Sequence, residues 1–493
     1  MLHFRACLLA LITLVTCASA QDGNAKIEAK LDTIIKKLDA SQGTLNEVAK
    51  SVKPAPAPAA AAAAAPAAVA STPGDAALKS DIETVQMNLN YVWMVATGAL
   101  VFVMQAGFAM VELGFARAKN SINIIMKNFL DFCISAIVFL FVGFGLMFGK
   151  SAGGWIGSDS FWISNHAADD KMWAFWFFQV VFAGTSCTIV SGAMAERTKF
   201  VGYLIYAALL AGIVYPLGGH WAWGSFGGAF GVGGEKGWLE ALGFVDFAGS
   251  TVVHGCGGAC ALAGILVVGA RHGRFAKDGT PRLIAGHNIP LAALGVFILW
   301  FGWFGFNAGS TLIGNGTIGR IAVNTTIAPA AAALSAMISM WFVQGRPDVG
   351  ITLNGSLGGA VGVTACCASI SPASAFIVGL IAGIITTVAT IALERMQIDD
   401  AVGAVPVHLA NGWWGTLSVA LFNQDGFDAH KLGVQALGTF SVTLSAFVIC
   451  FTIFKLVDKL VGLRATDNEQ IDGLDFAEHA ANAYPDFQTT EQA

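Results

Sequence analysis

Charge is what this sequence has least of. Only 12% of its 493 residues are Asp, Glu, Lys or Arg, about half of the roughly 25% carried by soluble domains. The 27 Lys+Arg and 32 Asp+Glu cannot clothe a soluble fold of this length. An ordinary cytosolic enzyme, a nucleic-acid binder and a disordered chain are therefore excluded. Ten-residue segments of alternating polarity are missing too, which argues against a membrane β-barrel. No group of His, Cys or carboxylates has the three- or four-ligand pattern of a metal site, and no nucleophile constellation accompanies any His. The expectation is a non-enzyme with no metal and no cofactor. Of the nine Cys, seven (Cys133, Cys187, Cys256, Cys260, Cys366, Cys367 and Cys450) sit in apolar stretches, where a thiol serves as a small hydrophobe.

What is abundant is apolar: 55% hydrophobic residues, 58 Gly, 35 Phe and 13 Trp. Apolar runs of about 20 residues recur along most of the chain, the pattern of an all-α polytopic membrane protein. Ahead of them come three different segments. Residues 1–20 have the charge, apolar core and Ala18-Ser19-Ala20 site of a signal peptide. Residues 21–53 contain a helical seam in which Leu31, Leu38, Leu45 and Val52 take one heptad position and Ile27 and Ile34 another. Leu at a with Ile at d suits three or four strands rather than two, and a lone amphipathic helix fits as well. Residues 54–80 form a Pro/Ala-rich linker.

A membrane domain is expected over 81–460, with a tail at 461–493. Eleven spans are predicted, near 88–113, 121–149, 172–195, 200–222, 248–270, 289–311, 321–343, 352–371, 373–393, 404–422 and 433–456. Loops after odd-numbered spans hold Arg117, Lys119, Arg197, Lys199, Arg271, Arg274, Lys277, Arg282, Arg346 and Arg395. Loops after even-numbered spans hold only Lys150, Lys171, Lys236, Arg320 and Lys431. The positive-inside rule then puts the mature N-terminus outside and the C-terminus in the cytoplasm, as does the signal peptide.

Ionisable residues inside a bilayer are functional candidates by default. Span five opens Asp246-Phe-Ala-Gly-Ser-Thr-Val-Val-His254, and span ten opens Asp400-Ala-Val-Gly-Ala-Val-Pro-Val-His408. Each places an acid eight residues before a mid-span His. Spans five and ten run in opposite directions, so the pair reads as a five-plus-five inverted repeat with one extra helix. Two apposed neutral imidazoles each offer one donor and one acceptor, enough to line a narrow path for a small polar molecule or to pass a proton. Asp246 and Asp400 also suit N-caps of their own helices. The glycines of span six (Gly302, Gly305, Gly309) and span eight (Gly355, Gly358, Gly359, Gly362) are read as packing residues.

Several separated motifs, in order, resemble the ammonium transporter family (Amt/Mep/Rh). They are Phe178-Gln179-Val-Val-Phe182, Ala195-Glu196-Arg197, Tyr215-Pro216 through Trp223-Gly224, Asp246 to His254, Trp303-Phe-Gly-Phe306-Asn307-Ala-Gly-Ser310, and Asp400 to His408. The resemblance covers about residues 84–485, and Trp223 points to the Amt branch. It implies a homotrimer with one pore per protomer in the bacterial inner membrane, and ammonium or ammonia as substrate, with methylammonium as analogue. Trp223 and Ser310 resemble the outer ammonium site, with Phe182 beside them and Asp246 supporting recruitment. Phe182 and Phe306 resemble the gating ring pair, and His254 and His408 the twin-His pair. Gln179, Trp303, Asn307 and Asp400 lie in the same motifs as supporting residues. The implied transport is recruitment of ammonium, deprotonation, and conduction of ammonia with or without a coupled proton. The loop Gly227–Ala241 is longer and richer in Gly than the family pattern. Residues 463–493 carry seven acids against Arg464 alone. Gly462-Leu463-Arg464, Gly473-Leu474-Asp475 and Ala483-Tyr484 resemble the family tail that docks a P-II signalling protein. His479-Ala480-Ala481 stands where the family has His-Gly-Glu.

Overall fold

The computed structural model describes residues 73–162 and 170–485, with side chains from Ala77 onward. The expected signal peptide at 1–20, the amphipathic segment at 21–53 and most of the 54–80 linker lie outside the described residues.

Nine helices among the described residues are long and apolar enough to cross a membrane. In chain order they are α1 (Ala77–Phe115), α2 (Ala118–Phe148), α3 (Asp170–Ala193), α4 (Phe200–Phe230), α5 (Ser250–Val268), α6 (Ile289–Gly309), α7 (Thr317–Gln344), α9 (Pro372–Arg395) and α11 (Ala429–Val461). Two shorter helices fall where spans eight and ten are predicted. They are α8 (Val349–Thr364), with 16 residues, and α10, which runs through Val405–Ala410 into Asn411–Leu421. At 1.5 Å per residue α8 reaches about 24 Å, short of a hydrocarbon core of about 30 Å. It stops at Thr364, before the predicted end at 371, because side chains from elsewhere take over its terminal groups. Ser250 Oγ accepts from Ala365 N at 2.7 Å. Asn324 Nδ2 on α7 donates to the carbonyls of Cys367 and Ile370, at 2.8 and 3.0 Å. Arg320 donates to Ala368 O at 2.6 Å. A chain that leaves the helix inside a bundle must have these partners.

The starts of several helices follow from local sequence. Asn288, Asp348, Ser371 and Asp428 each accept a backbone N–H of the first turn, and Pro290 and Pro372 occupy positions where no N–H is needed. Large apolar side chains such as Phe129, Phe297, Phe342 and Val448 stay exposed, as lipid-facing residues do. Inside the bundle small residues set the spacing. A Cβ on Gly359 of α8 would lie 2.6 Å from Ala328 O of α7, and one on Gly305 of α6 would lie 2.6 Å from Thr97 O of α1. Close backbone approach of this kind is the main packing device where lipid removes the hydrophobic drive.

The C-terminal segment is folded against the loops at one end of the bundle. It forms α12 (Asp467–Asp472) and α13 (Leu474–His479). Asn120 Oδ1 accepts from Leu474 N, at 3.0 Å, and Asp475 Oδ1 accepts from Asn123 N, at 2.8 Å. Glu478 accepts from Phe200 N at 2.9 Å, and Tyr484 OH meets His287 Nε2 at 2.9 Å. Many of the tail acids thus accept backbone N–H groups. Ala480 sits at φ +50°, a left-handed conformation that costs an alanine more than a glycine.

At this tail end three basic loop residues form ion pairs with buried acids. Arg117 and Arg271 meet Glu196, at 2.5 and 3.5 Å, while Arg271 and Arg274 meet Asp399, at 2.9 and 3.4 Å. Arg197, fully buried, donates to the carbonyls of Ala193, Ala195, Gly269 and Asp399. Burial lowers its pKa to about 10, so it stays charged.

Candidate functional site

The site is built on the first turns of α5 and α10. Both turns are wound wide, as π-helix, over Ser250–Gly255 and Val405–Ala410, a distortion common at functional positions. Each is preceded by an aspartate and, three residues on, a glycine with positive φ: Gly249 at +111° and Gly403 at +83°. That glycine bends the chain back so that successive N–H groups converge on the carboxylate. Asp246 receives four, from Gly249, Ser250, Thr251 and Val252, at 2.8–2.9 Å. Asp400 receives those of Gly403 and Val405, at 3.0 and 2.7 Å.

Burial raises the pKa of Asp246 above an ordinary aspartate's, and the four N–H groups act against that. Burial raises Asp400 as well, against its own N–H donors and the charge of Arg197. At Asp246 every hydrogen-bonded contact is a donor, so the ionised form is the one the pocket accommodates.

The wide turns aim His254 and His408 at each other. Their Nδ1 atoms are 3.2 Å apart, and their rings lie 5.2 Å apart at 16°. A hydrogen bond between two Nδ1 atoms requires one ring to carry its proton there and the other on Nε2. His254 Nε2 is fully buried with no partner among the described residues, an orphaned group that a small polar molecule would satisfy. Glycines allow the helices to meet here: a Cβ on Gly258 would lie 2.5 Å from Leu409 N, and one on Gly412 would lie 3.0 Å from Gly255 N.

Stacked aromatic rings continue from this pair toward the end of the bundle away from the tail. Trp303 lies 5.2 Å from His254 at 20°, its Nε1 donating to Thr364 Oγ1 at 3.0 Å. Phe306 lies 5.2 Å from His254 on another side. Phe182 stacks on Phe306 at 4.2 Å and 29°. Both Phe rings are fully buried and in stacking contact with each other. Phe182 also meets Trp223 edge-on, at 6.4 Å and 78°.

Above the Phe pair is a small cavity lined by Phe178, Gln179, Phe182, Trp223, Phe226, Phe247, Ser310 and Leu312. Its walls are π faces with a few acceptors, the surroundings that attract a small cation. Trp223 is fixed by Nε1–H donating to Asp246 O at 2.8 Å, so the aspartate places the indole through its backbone as well as capping α5. Ser310 Oγ–H donates to Phe306 O at 2.8 Å, which leaves its lone pairs free to accept. Gln179 Oε1 is buried without a partner among the described residues.

Of the residues singled out from sequence, Trp223, Ser310, Phe182 and Gln179 share this cavity, and Phe306, Trp303, His254 and His408 follow in a contiguous stack. Asp246 supports both without lining the cavity. Two lie elsewhere. Asn307 faces α7, donating to Thr325 Oγ1 at 3.0 Å, and Asp400 caps α10 at the far end. Sequence reading missed Phe226, whose ring stacks on Trp223 at 5.9 Å and 17°, and Phe247. Both lie in the loop between spans four and five, where no periodicity marks them. It also missed the Gly249/Gly403 pair, which the shared D-x2-G spacing reveals.

Comparison with known proteins points one way. The model of the Ammonium Transporter Family matches residues 92–484. An ammonium transporter of Archaeoglobus fulgidus is 42% identical over 436 residues, covering 83% of this chain and 91% of the relative. A putative ammonium transporter of Synechocystis is 41% identical, covering 81% and 90%. Among solved structures, one named Sensor Amt Protein superposes with a TM-score of 0.77 at 42% identity, covering 80% of this chain and 99% of the other. Mep2 of Candida albicans gives 0.71 at 25% identity, covering 82% and 93%.

Proposed function

The chain belongs to the ammonium transporter family, and from that premise we propose how it handles its substrate. Ammonium enters the cavity between Trp223, Phe226 and Ser310, where the indole face attracts the cation by roughly 0.5–2 kcal/mol and the Ser310 oxygen accepts an N–H. Asp246, ionised behind the indole with no cationic side chain among its hydrogen-bond partners, adds a favourable field. The closed Phe182/Phe306 pair then makes passage of a bare cation costly, because nothing between the rings replaces its water. Loss of a proton gives neutral ammonia, which slips past the rings and is received by the orphaned Nε2 of His254. The released proton can travel through the Nδ1–Nδ1 contact of the imidazole pair.

A single observation carries this reading: the cation-attracting cavity, the apolar ring pair and the hydrogen-bonded His pair follow one another without interruption. On the same reading the protein is a homotrimer of the bacterial inner membrane, with its mature N-terminus outside and its C-terminal tail in the cytoplasm. The tail is the docking point for a P-II signalling protein. A second reading, sensing rather than carrying flux, takes its support from the likeness to Sensor Amt Protein.

Methylammonium uptake into reconstituted vesicles separates the two. The transporter reading expects uptake by the wild type, a loss of at least tenfold in His408→Ala, and a raised half-saturating concentration in Trp223→Ala. A wild type that binds ammonium and moves none would overturn it in favour of sensing. Full ammonium-driven current in His254→Ala would remove the proton relay and leave ammonia conduction standing.

A further inference from the structure

A second cavity lies on the other side of the His pair. His408 forms part of its wall, together with Phe108, Leu357, Val402 and Ala404. It has room for a water-sized molecule. Most of the lining is apolar, and one side chain in it is out of place: Glu112, on α1, only 2% exposed.

The carboxylate is held on one side only. Glu112 Oε2 accepts from Asn128 Nδ2 at 2.9 Å and from Ser191 Oγ at 2.6 Å. Those bonds fix the side chain between α2 and α3. Among the described residues Oε1 has no hydrogen-bond partner and no arginine or lysine forms a salt bridge with Glu112; the charge of Lys127 on α2 acts on it only from beyond ion-pair distance. Asn354 lines the same cavity with its amide nitrogen tied to Val402 O at 2.9 Å, so its carbonyl oxygen is the free end. A buried acid with one oxygen braced and the other unpartnered is expensive to keep in an apolar bundle. A mere strut between helices does not need that second oxygen, and an amide would serve.

We propose that this cavity is an inner ammonium site, in which Glu112 supplies the counter-charge and Asn354 a second acceptor for N–H groups. The proposal rests on the transport reading above and deepens it. The two ends of the pore then hold the same ion by different chemistry. At the Trp223 end the ion meets π faces and a hydroxyl, which hold it weakly and let it shed a proton. At the tail end it meets a carboxylate directly. A full charge favours ammonium over ammonia, so the inner site holds the substrate in its cationic form and hinders its return past His408. The ligand class follows from the donor set: a small monovalent cation bearing N–H donors.

The test is the sidedness of half-saturation. Methylammonium transport is measured in right-side-out and in inverted membrane vesicles holding wild type, Glu112→Gln or Glu112→Asp. Gln keeps the acceptor for Asn128 and Ser191 and puts an NH2 in place of the free oxygen, so the charge and the acceptor facing the cavity are both lost. The expected result is a rise of tenfold or more in the half-saturating concentration for Glu112→Gln in inverted vesicles, with less than a twofold change in right-side-out vesicles. Glu112→Asp keeps the charge and shortens the reach to both brackets, so it is expected to stay within about threefold of wild type in both orientations. Equal changes in both orientations, or none in either, would overturn the site and leave Glu112 a strut. Should Glu112→Gln fail to reach the membrane, Glu112→Asp decides. A folded Asp variant whose half-saturating concentration rises in inverted vesicles alone, by up to about threefold, supports the site; an equal change in both orientations, no change, or failure to fold assigns Glu112 to packing. Wild-type vesicles with no uptake in either orientation would overturn the transport reading, and the inner site with it.

Discussion

The first turns of α5 and α10 are the same device in different surroundings. Both use an aspartate, a left-handed glycine three residues later and a wide turn that turns a histidine toward its partner. Around Asp246 the neighbours are neutral: four backbone N–H groups and the indole of Trp223 hung from its carbonyl. Around Asp400 they are charged, since the adjacent Asp399 is clamped by Arg271 and Arg274 and its carbonyl accepts from Arg197. The backbone geometry alone positions a histidine. What surrounds the aspartate decides whether its charge stays uncompensated or is spent within the protein.

Exchanging each aspartate for its amide puts this contrast to the sharpest test. Asp246→Asn must turn an amide NH2 toward two of the N–H donors that now meet an oxygen, and it removes the uncompensated charge. Hydrogen bonds to a charged group are worth roughly 1.5–3 kcal/mol each, so methylammonium uptake should fall at least a hundredfold. Asp400→Asn loses fewer N–H contacts, beside arginines that already balance the local charge, and should cost about tenfold. Equal losses would mean that the carboxylates act only as caps and that their surroundings are irrelevant.

The next largest effect belongs to the tail-end cluster. Arg271→Gln leaves Asp399 and Glu196 buried without the guanidinium that links them. Removing one partner of a buried pair costs roughly 3–5 kcal/mol, measurable as a lowered thermal midpoint in detergent. Burial by itself pushes the Asp399 carboxyl up, yet the hydrogen bonds from Arg271 and the charges of Arg197 and Arg271 outweigh it. Together they hold Asp399 well below the usual carboxylate range. A group depressed on folding stabilises above its unfolded pKa and loses that contribution only as pH falls through the folded value. In wild type that contribution should therefore stay constant from pH 8 down to about 5; in Arg271→Gln, Arg274 and Arg197 remain to keep Asp399 ionised, so the difference should hold as well. A difference that shrinks across that window would show Asp399 titrating there.

How much of this is legible in the sequence depends on whether the chemistry is local. The apolar runs, the His at equal distance from two acids and the Phe, Trp and Ser of the motifs are visible because each lies in a periodic segment or a spaced pattern. The short α8 is not visible, since its end is set by Ser250, Arg320 and Asn324 reaching in from other helices. Glu112 is a lone acid close to the end of a predicted span, where an acid raises no alarm. Only the fold shows that it shares a cavity with His408. Asn307 lies in the same motif, and only the fold shows that it supports the helix packing by donating to Thr325 on α7.

The smallest effect separates the two glycines, and it isolates geometry from charge. An alanine at Gly249 would be held at φ +111°, with its Cβ 2.6 Å from Val253 Cγ2 and 3.2 Å from the Trp223 ring. At Gly403 it would be held at φ +83°, where its Cβ meets the amide of Asn354, the end of a side chain that can shift. A left-handed conformation costs a non-glycine residue roughly 1–2 kcal/mol. At Gly403 that cost is joined by displacement of the Asn354 amide from Val402 O, seen as a drop in thermal stability with half-saturation at the Trp223 end unchanged. At Gly249 relief of the clash must displace the indole that walls the outer cavity, so the half-saturating methylammonium concentration should rise severalfold as well. If Gly249→Ala lowers stability but leaves half-saturation unchanged, the position of Trp223 is not set by this turn, and the aspartate's field alone distinguishes the two ends.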